Sequence, residues 1–111
     1  MSAPASLTLR PAHADEREAL ENLQRRASLA NPGDRQALLD HPDAIALPQS
    51  AIDRGEVTVA EVDGRPVGFA VVERHDGFVE LDGLFVDPEQ WRRGIGRALA
   101  AAATHAARRA G

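Results

Sequence analysis

The sequence of 111 residues contains no cysteine, which excludes disulfide bonds, a thiolate nucleophile and a cysteine-based metal site. It also has no run of about 18 apolar residues, so neither a membrane-spanning helix nor a membrane partner is expected. Its first residues lack the charged and apolar pattern of a secretory signal. Together these absences predict a cytoplasmic protein.

Positive charge is also scarce. Thirteen arginines and no lysine stand against seventeen acidic residues, which gives a formal net charge of −4 and argues against a nucleic-acid partner. The four histidines, at positions 13, 41, 75 and 105, show no spacing typical of metal ligands, so no metal is expected. The length fits a single domain, taken here as residues 1–111.

The most informative segment, residues 88–100, predicts an anion site at the start of a helix. A helix leaves its first four N–H groups without intrahelical partners, and its macrodipole places about half a positive charge there. Gly94 and Gly96 leave that backbone open, and Arg92, Arg93 and Arg97 bring three guanidinium groups to the same turn. The expected ligand carries a pyrophosphate. A tight turn before an alanine-rich helix is the alternative interpretation.

Two familiar phosphate loops do not match this segment. The sequence contains no Gly-x-x-x-x-Gly-Lys-Ser/Thr run, and Leu99 stands where the third glycine of a Gly-x-Gly-x-x-Gly turn would be. Neither a P-loop nor a dinucleotide-binding turn is therefore expected.

The preceding segment, residues 78–86, alternates like a strand and contains two carboxylates. Strict alternation predicts two sets of side chains on opposite faces: Val79, Leu81 and Phe85 on one, and Glu80, Asp82, Leu84 and Val86 on the other. Acids that share a face with core aliphatics would be buried. Burial of an unpaired carboxylate is costly, so such acids indicate a functional site.

At this point the chain resembles the GNAT acetyltransferase superfamily. That family has an apolar fourth strand ending in a Val-x-Pro-like turn, followed by Gln/Arg-x-x-Gly-x-Gly/Ala at the start of a helix. The corresponding residues here are Leu84-Phe85-Val86-Asp87-Pro88 and Trp91-Arg92-Arg93-Gly94-Ile95-Gly96. Residues 56–62 and 67–72 are similar to the family's second and third strands, and Asp63-Gly64 predicts the hairpin between them.

The resemblance implies a mixed α/β (α+β) fold with a largely antiparallel sheet, N-terminal helices and a cofactor-binding helix after the fourth strand. Residues 6–10 are expected to form the first strand, and residues 14–29 and 34–40 the N-terminal helices. Residues up to 54 are expected to be irregular, and Gly111 is expected to cap the last helix.

The resemblance also implies an activity and a set of site residues. An acetyl group would pass from acetyl-coenzyme A to an amine of an unidentified acceptor. The pyrophosphate would be held by the backbone N–H groups of Arg92, Arg93, Gly94, Ile95, Gly96 and Arg97, and the pantetheine arm by Leu84, Phe85 and Val86. Glu80, fourteen positions before Gly94, matches the general base of some members, and Asp82 is a weaker candidate.

Two features depart from the family pattern. Trp91 stands where Gln or Arg is usual, which matters little if backbone donors hold the phosphate. The chain also lacks the C-terminal part of the family fold, including a fifth strand, and has no tyrosine to protonate the departing thiolate. The fourth strand is therefore expected to be an exposed edge, and two interpretations follow: two copies pair or exchange elements along it as a homodimer, or the chain is a fragment of a longer product. The alternative function is a non-catalytic acetyl-coenzyme A-binding or dimeric interaction module.

Overall fold

The structure, a computed structural model, describes the backbone of residues 7–110 and the side chains of residues 7–105. Four strands form one antiparallel sheet in sequence order: β1 (Leu7–Pro11), β2 (Val57–Val62), β3 (Arg65–His75) and β4 (Phe78–Val86). Four α-helices surround it: α1 (Arg17–Ala30), α2 (Pro32–Asp40), α3 (Gln49–Asp53) and α4 (Ile95–Ala110). The predicted fold class is confirmed. The expected start of the first strand at Ser6 and the expected cap at Gly111 lie outside the described residues.

The sheet separates two apolar clusters, one on each face. The face that we call the α4 face is covered by Ile95, Leu99 and Ala103, which are at most 2% exposed and pack on the central strands. The opposite α1 face is covered by Leu20 and Leu23 of α1 together with residues of α3. The buried residues of α1, Leu20, Leu23 and Ala27, recur at helical spacing and therefore lie on one side of the helix. Among residues 7–110, no helix is both long and apolar enough to span a membrane.

The hairpin between β2 and β3 follows the sequence prediction. Asp63 and Gly64 have φ angles of 52° and 81°, as a two-residue type I′ turn requires. β3 is longer at both ends than predicted, because Arg65 and Pro66 pair with β2 and residues 73–75 pair with β4.

The boundaries of both N-terminal helices differ from the prediction: α1 covers Arg17–Ala30 instead of residues 14–29, and α2 begins two residues early. Asn31-Pro32-Gly33, between the two predicted helices, begins the second. The side chain of Asn31 accepts a hydrogen bond from the N–H of Gly33 at 2.9 Å, and Pro32 occupies the first turn, where its missing N–H costs nothing. The helix therefore starts at Pro32 instead of Asp34. Residues 49–53, expected to be irregular, form α3.

A β-bulge in β4 changes which side chains share a face. Val71 pairs with Gly83 and Val72 with Leu81, so Asp82 is an extra residue without a cross-strand partner. As a result Val79 and Val86 both pack on the α4 face, whereas Phe85 packs on the α1 face beside Phe69. The strict alternation predicted from the sequence is wrong, because the extra residue inverts the phase within the strand.

The expected burial of the two acids is also wrong. The side chain of Glu80 is 58% exposed and Asp82 is exposed. Both lie on the part of β4 near the hairpin turn, Glu80 before the bulge and Asp82 at it. Their place in the strand was predicted correctly, but the covering layer that would bury them is absent from the described residues.

Candidate functional site

The backbone between β4 and α4 turns sharply and presents the start of α4 to solvent. Arg92 and Gly94 have φ angles of 66° and 79°, and the first helical hydrogen bond runs from the N–H of Ala98 to the carbonyl of Gly94 at 3.1 Å. The N–H groups of Ile95, Gly96 and Arg97 therefore have no acceptor within the helix. This is the open helix start that the Gly-x-Gly pattern predicts.

Several contacts hold this turn against the end of β4. The indole N–H of Trp91 donates to the carbonyl of Val86 at 2.7 Å. The N–H of Asp87 donates to the carbonyl of Val67 at 2.7 Å, and its carboxylate accepts from Arg26 of α1 at 3.2 Å. The loop is thereby tied to β3, β4 and α1, so its backbone donors have a fixed orientation.

A cavity of about 420 Å³ lies in front of this helix start. Seven of the nine residues predicted to bind the cofactor line it, and two do not, because Arg93 and Arg97 are exposed outside its walls. The seven lining residues are Leu84, Phe85, Val86, Arg92, Gly94, Ile95 and Gly96. Glu80 and Asp82 lie farther along β4, outside the lining.

The other wall of the cavity comes from residues that sequence reasoning missed. Ala27 and Ser28 of α1, Asn31 and Asp34 face β4, and Gln90 and Trp91 complete the lining near the turn. The contribution of Trp91 was visible in the motif, since it occupies one of its positions. The α1 and α2 residues gave no local signal, because only the folded chain brings them within reach of β4.

Gly96 is the point at which the helix and the strand approach each other within the cavity. A Cβ atom at Gly96 would lie 3.7 Å from Cδ2 of Leu84 and 3.8 Å from Cγ2 of Val86. Those distances are ordinary van der Waals contacts, so the fold itself tolerates a side chain there. The glycine instead keeps open the space between the helix N–H groups and the apolar side chains of β4.

The site is electropositive at the turn and has one unused acceptor. The side chain of Arg92, the α4 dipole and the unpaired N–H groups favour an anion at the same end of the cavity. The side-chain oxygen Oε1 of Gln90 is buried and has no hydrogen-bond partner among the described residues. An anion at the start of α4 would satisfy the unpaired N–H groups, whereas Oε1 of Gln90 has almost no accessible surface and is closed to a ligand in the cavity.

The sequence of residues 17–111 matches the model of the acetyltransferase (GNAT) family. The chain belongs to this family. Among curated GNAT-related proteins, the mycothiol acetyltransferase of Clavibacter michiganensis subsp. michiganensis is 51% identical over 43 residues, which are 39% of this chain and 14% of that protein. The matched segment thus spans a small part of this relative.

Solved structures of GNAT proteins share the fold. The PaiA N-acetyltransferase of Thermoplasma acidophilum, in complex with coenzyme A, superposes with a TM-score of 0.75 at 19% identity, covering 96% of this chain and 74% of that one. The N-acetylglutamate synthase of Neisseria gonorrhoeae, complexed with coenzyme A and N-acetyl-glutamate, has a TM-score of 0.68 at 22% identity, covering 96% of this chain and 24% of that one.

A third structure contains the acetylated cofactor. YncA, a putative acetyltransferase of Salmonella typhimurium with acetyl-CoA, has a TM-score of 0.63 at 23% identity, covering 95% of this chain and 65% of that one. At these identities the likeness establishes the fold of this GNAT chain. Its ligands and its reaction require an argument from its own residues.

Proposed function

We propose that this chain binds acetyl-coenzyme A and acts as an N-acetyltransferase toward an amine. The observation that carries the proposal is the cavity in which an open helix start, kept free by Gly96, faces the apolar side chains of β4. A pyrophosphate suits the N–H end, and a pantetheine arm suits the apolar wall. Membership of the GNAT family and neighbours solved with coenzyme A support this reading.

The cavity residues fit different parts of that cofactor. In the proposal, the backbone N–H groups from Arg92 to Arg97 donate hydrogen bonds to the pyrophosphate, with the Arg92 side chain reaching it from the cavity wall and the Arg93 and Arg97 side chains adding charge at the rim. Leu84, Phe85 and Val86 contact the pantetheine.

A general base completes the proposed reaction. The acceptor amine must lose a proton before its nitrogen attacks the thioester carbon, and a carboxylate takes that proton directly or through water. We propose Glu80 for this role, with Asp82 as the weaker candidate. Glu80 is accessible to an acceptor that approaches from solvent, and its Oε1 lies 3.1 Å from Nε2 of His75.

The binding half of the proposal can be tested directly on the wild-type chain. The single tryptophan, Trp91, is 42% exposed on the cavity wall, so its fluorescence should change when the cavity fills. Calorimetric and fluorescence titrations with acetyl-coenzyme A should both saturate at one molecule per chain. A folded chain that gives no saturable signal would contradict the proposal.

Replacing Glu80 with glutamine should separate catalysis from binding. We expect the rate of acetyl transfer at saturating acetyl-coenzyme A to fall by about 10²–10⁴, the usual contribution of a general base. Cofactor affinity should stay unchanged, because Glu80 lies outside the cavity lining. The rate can be followed as thiol release in the presence of a panel of amines.

Glu73→Gln provides the matched control for that variant. Glu73 pairs with Glu80 across the two strands, is also 58% exposed and faces the same histidine. Its replacement should change the rate less than about threefold, since it has no place in the proposed proton transfer. Equal losses of rate in both variants would mean that the negative charge near His75 affects the rate and that Glu80 is not the general base. Wild-type activity in Glu80→Gln would also exclude Glu80 as the general base.

The alternative function, a non-catalytic acetyl-coenzyme A-binding or dimeric interaction module, has support from β4. Among the described residues β4 pairs only with β3, and Phe78, Leu81 and Leu84 are 59%, 39% and 38% exposed. An unpaired apolar edge favours pairing with another strand. Light scattering at micromolar concentration should then give twice the chain mass, whereas a monomer would contradict the dimer. Saturable binding without turnover for any amine would favour the non-catalytic module.

A further inference from the structure

One imidazole and two carboxylates meet near the tip of the β3–β4 hairpin, outside the cavity lining. Nε2 of His75 lies 3.1 Å from Oε1 of Glu80 and 3.8 Å from Oε1 of Glu73. One ligand atom from each of the three residues lies within 4.8 Å of the others. The set combines a nitrogen ligand with two oxygen ligands, and all three side chains are exposed to incoming ions.

The strand register places the two carboxylates of this cluster side by side, where their negative charges repel each other. Glu73 and Glu80 are direct cross-strand partners, and like charges in that position destabilise a sheet. The adjacent Arg74 is turned away, because its Nη2 donates to the carbonyl of Arg54 at 2.6 Å and its Nε lies 3.9 Å from Glu56. Among the ion pairs of residues 7–105, each of the two carboxylates pairs with His75 alone.

A divalent cation neutralises the negative charge of this cluster more completely than a proton does. Protonation of His75 adds one positive charge against two negative ones, whereas a divalent ion bound to neutral imidazole cancels both. The imidazole is also held in place, since its ring stacks on Phe78 with centroids 4.5 Å apart and planes 17° apart. Nε2 is thereby presented to the carboxylates, and the two flexible glutamates can adjust around it.

We propose that Glu73, His75 and Glu80 bind a divalent transition-metal ion of the Zn²⁺ type. Neighbouring ligand atoms on a tetrahedral ion with bonds of about 2.1 Å are about 3.4 Å apart, and the two distances to Nε2 lie on either side of that value. Three protein ligands leave a fourth position for water or a ligand. The sequence spacing gave no sign of this site, because the strand pairing is what joins positions 73, 75 and 80.

The proposed metal site shares one residue with the proposed acetyl transfer. An ion bound to one oxygen of Glu80 would withdraw charge from that carboxylate and lower its basicity, so metal binding should weaken base catalysis by Glu80. The metal site does not depend on that reaction, however. It can be measured without acetyl-coenzyme A, so a failure of one proposal leaves the other untouched.

Calorimetric titration of the untagged chain with ZnCl₂ and with MgCl₂ tests the site. We expect one Zn²⁺ per chain, bound at least about tenfold more tightly than Mg²⁺, because imidazole suits zinc and Mg²⁺ prefers an all-oxygen octahedron. His75→Ala and Glu73→Gln should each weaken Zn²⁺ binding at least about tenfold. Glu73→Gln keeps the stacking of His75 on Phe78, so it isolates the loss of a ligand from any loosening of the hairpin.

His41→Ala is the matched control, because His41 is also exposed but lies at the end of α2 and is not one of the three clustered residues. Its Zn²⁺ affinity should equal that of the wild type. The proposal is overturned if Zn²⁺ gives no saturable binding, if Mg²⁺ binds as tightly, or if His75→Ala keeps the wild-type affinity.

Discussion

Replacement of Gly96 with aspartate is expected to weaken acetyl-coenzyme A binding by about 100-fold or more while leaving the chain folded. The new side chain would point toward Leu84 and Val86, at the place where the helix N–H groups face the cavity. A carboxylate about 4 Å from a phosphate repels it by several kcal/mol at an effective dielectric constant of about 20. A loss of about 2.7 kcal/mol already corresponds to a factor of about 100 in affinity.

The fold should tolerate this change, since Gly96 has an ordinary helical environment and an acidic residue in the first helical turn is favourable. Gly96→Ala is the matched control: it fills the same space without charge and removes a glycine from a helix, a gain of up to about 1 kcal/mol in stability. Its affinity should fall much less than that of Gly96→Asp. If the two variants bind equally well, or if Gly96→Asp binds like the wild type, no phosphate lies at this helix start.

The second large effect is expected at Arg10, which joins three elements. Its guanidinium contacts both carboxylate oxygens of Glu16, just before α1, at 2.6 and 3.0 Å, and it also pairs with Glu61 of β2. The hydrogen bonds from Arg10 hold the pKa of the Glu16 carboxyl below its usual value, and in turn raise the pKa of Arg10. The side chains are largely shielded from water, with exposures of 18%, 12% and 21% for Arg10, Glu16 and Glu61.

Arg10→Met should lower the free energy of unfolding by about 2–3 kcal/mol. The substitution keeps the apolar stem but leaves two carboxylates close together without their cation, which costs more than the loss of an exposed pair. Urea denaturation at neutral pH measures the difference. Arg17→Met, at an exposed position at the start of α1, is the matched control and should change stability by no more than about 0.5 kcal/mol. Equal stabilities for the two variants would exclude a structural role for the triad.

The same triad predicts a dependence of stability on pH. A carboxyl with a depressed folded-state pKa contributes stability that is fully present above its unfolded-state pKa, about 4.3 for glutamate. That contribution is lost as the pH falls through the lower folded-state pKa of Glu16. The difference in unfolding free energy between the wild type and Arg10→Met should therefore shrink between about pH 5 and pH 3. A constant difference across this range would contradict the assignment.

The elements governed by local rules were predictable. The strand at residues 78–86, the Asp63-Gly64 hairpin and the helix start at Gly94 depend on alternation, turn chemistry and a glycine motif. The features that sequence reasoning missed are long-range. Asp82 becomes a bulge because the pairing of β3 with β4 slips by one residue, and Ser28 reaches the cavity because α1 packs across β4. The meeting of His75 with Glu80 likewise follows from strand register, which spacing along the chain does not reveal.

The bulge at Asp82 also divides β4 into two parts that can change independently during evolution. Residues after the bulge, from Leu84 to Val86, form the cavity wall and are constrained by α4 and Phe69. The residues before the bulge, Phe78 to Leu81, pair with Val72 to His75 of β3 near the hairpin turn. Because the extra residue interrupts the alternation, a substitution on one side need not disturb packing on the other. The outer half of the strand can therefore change in sequence while the cavity wall stays unchanged.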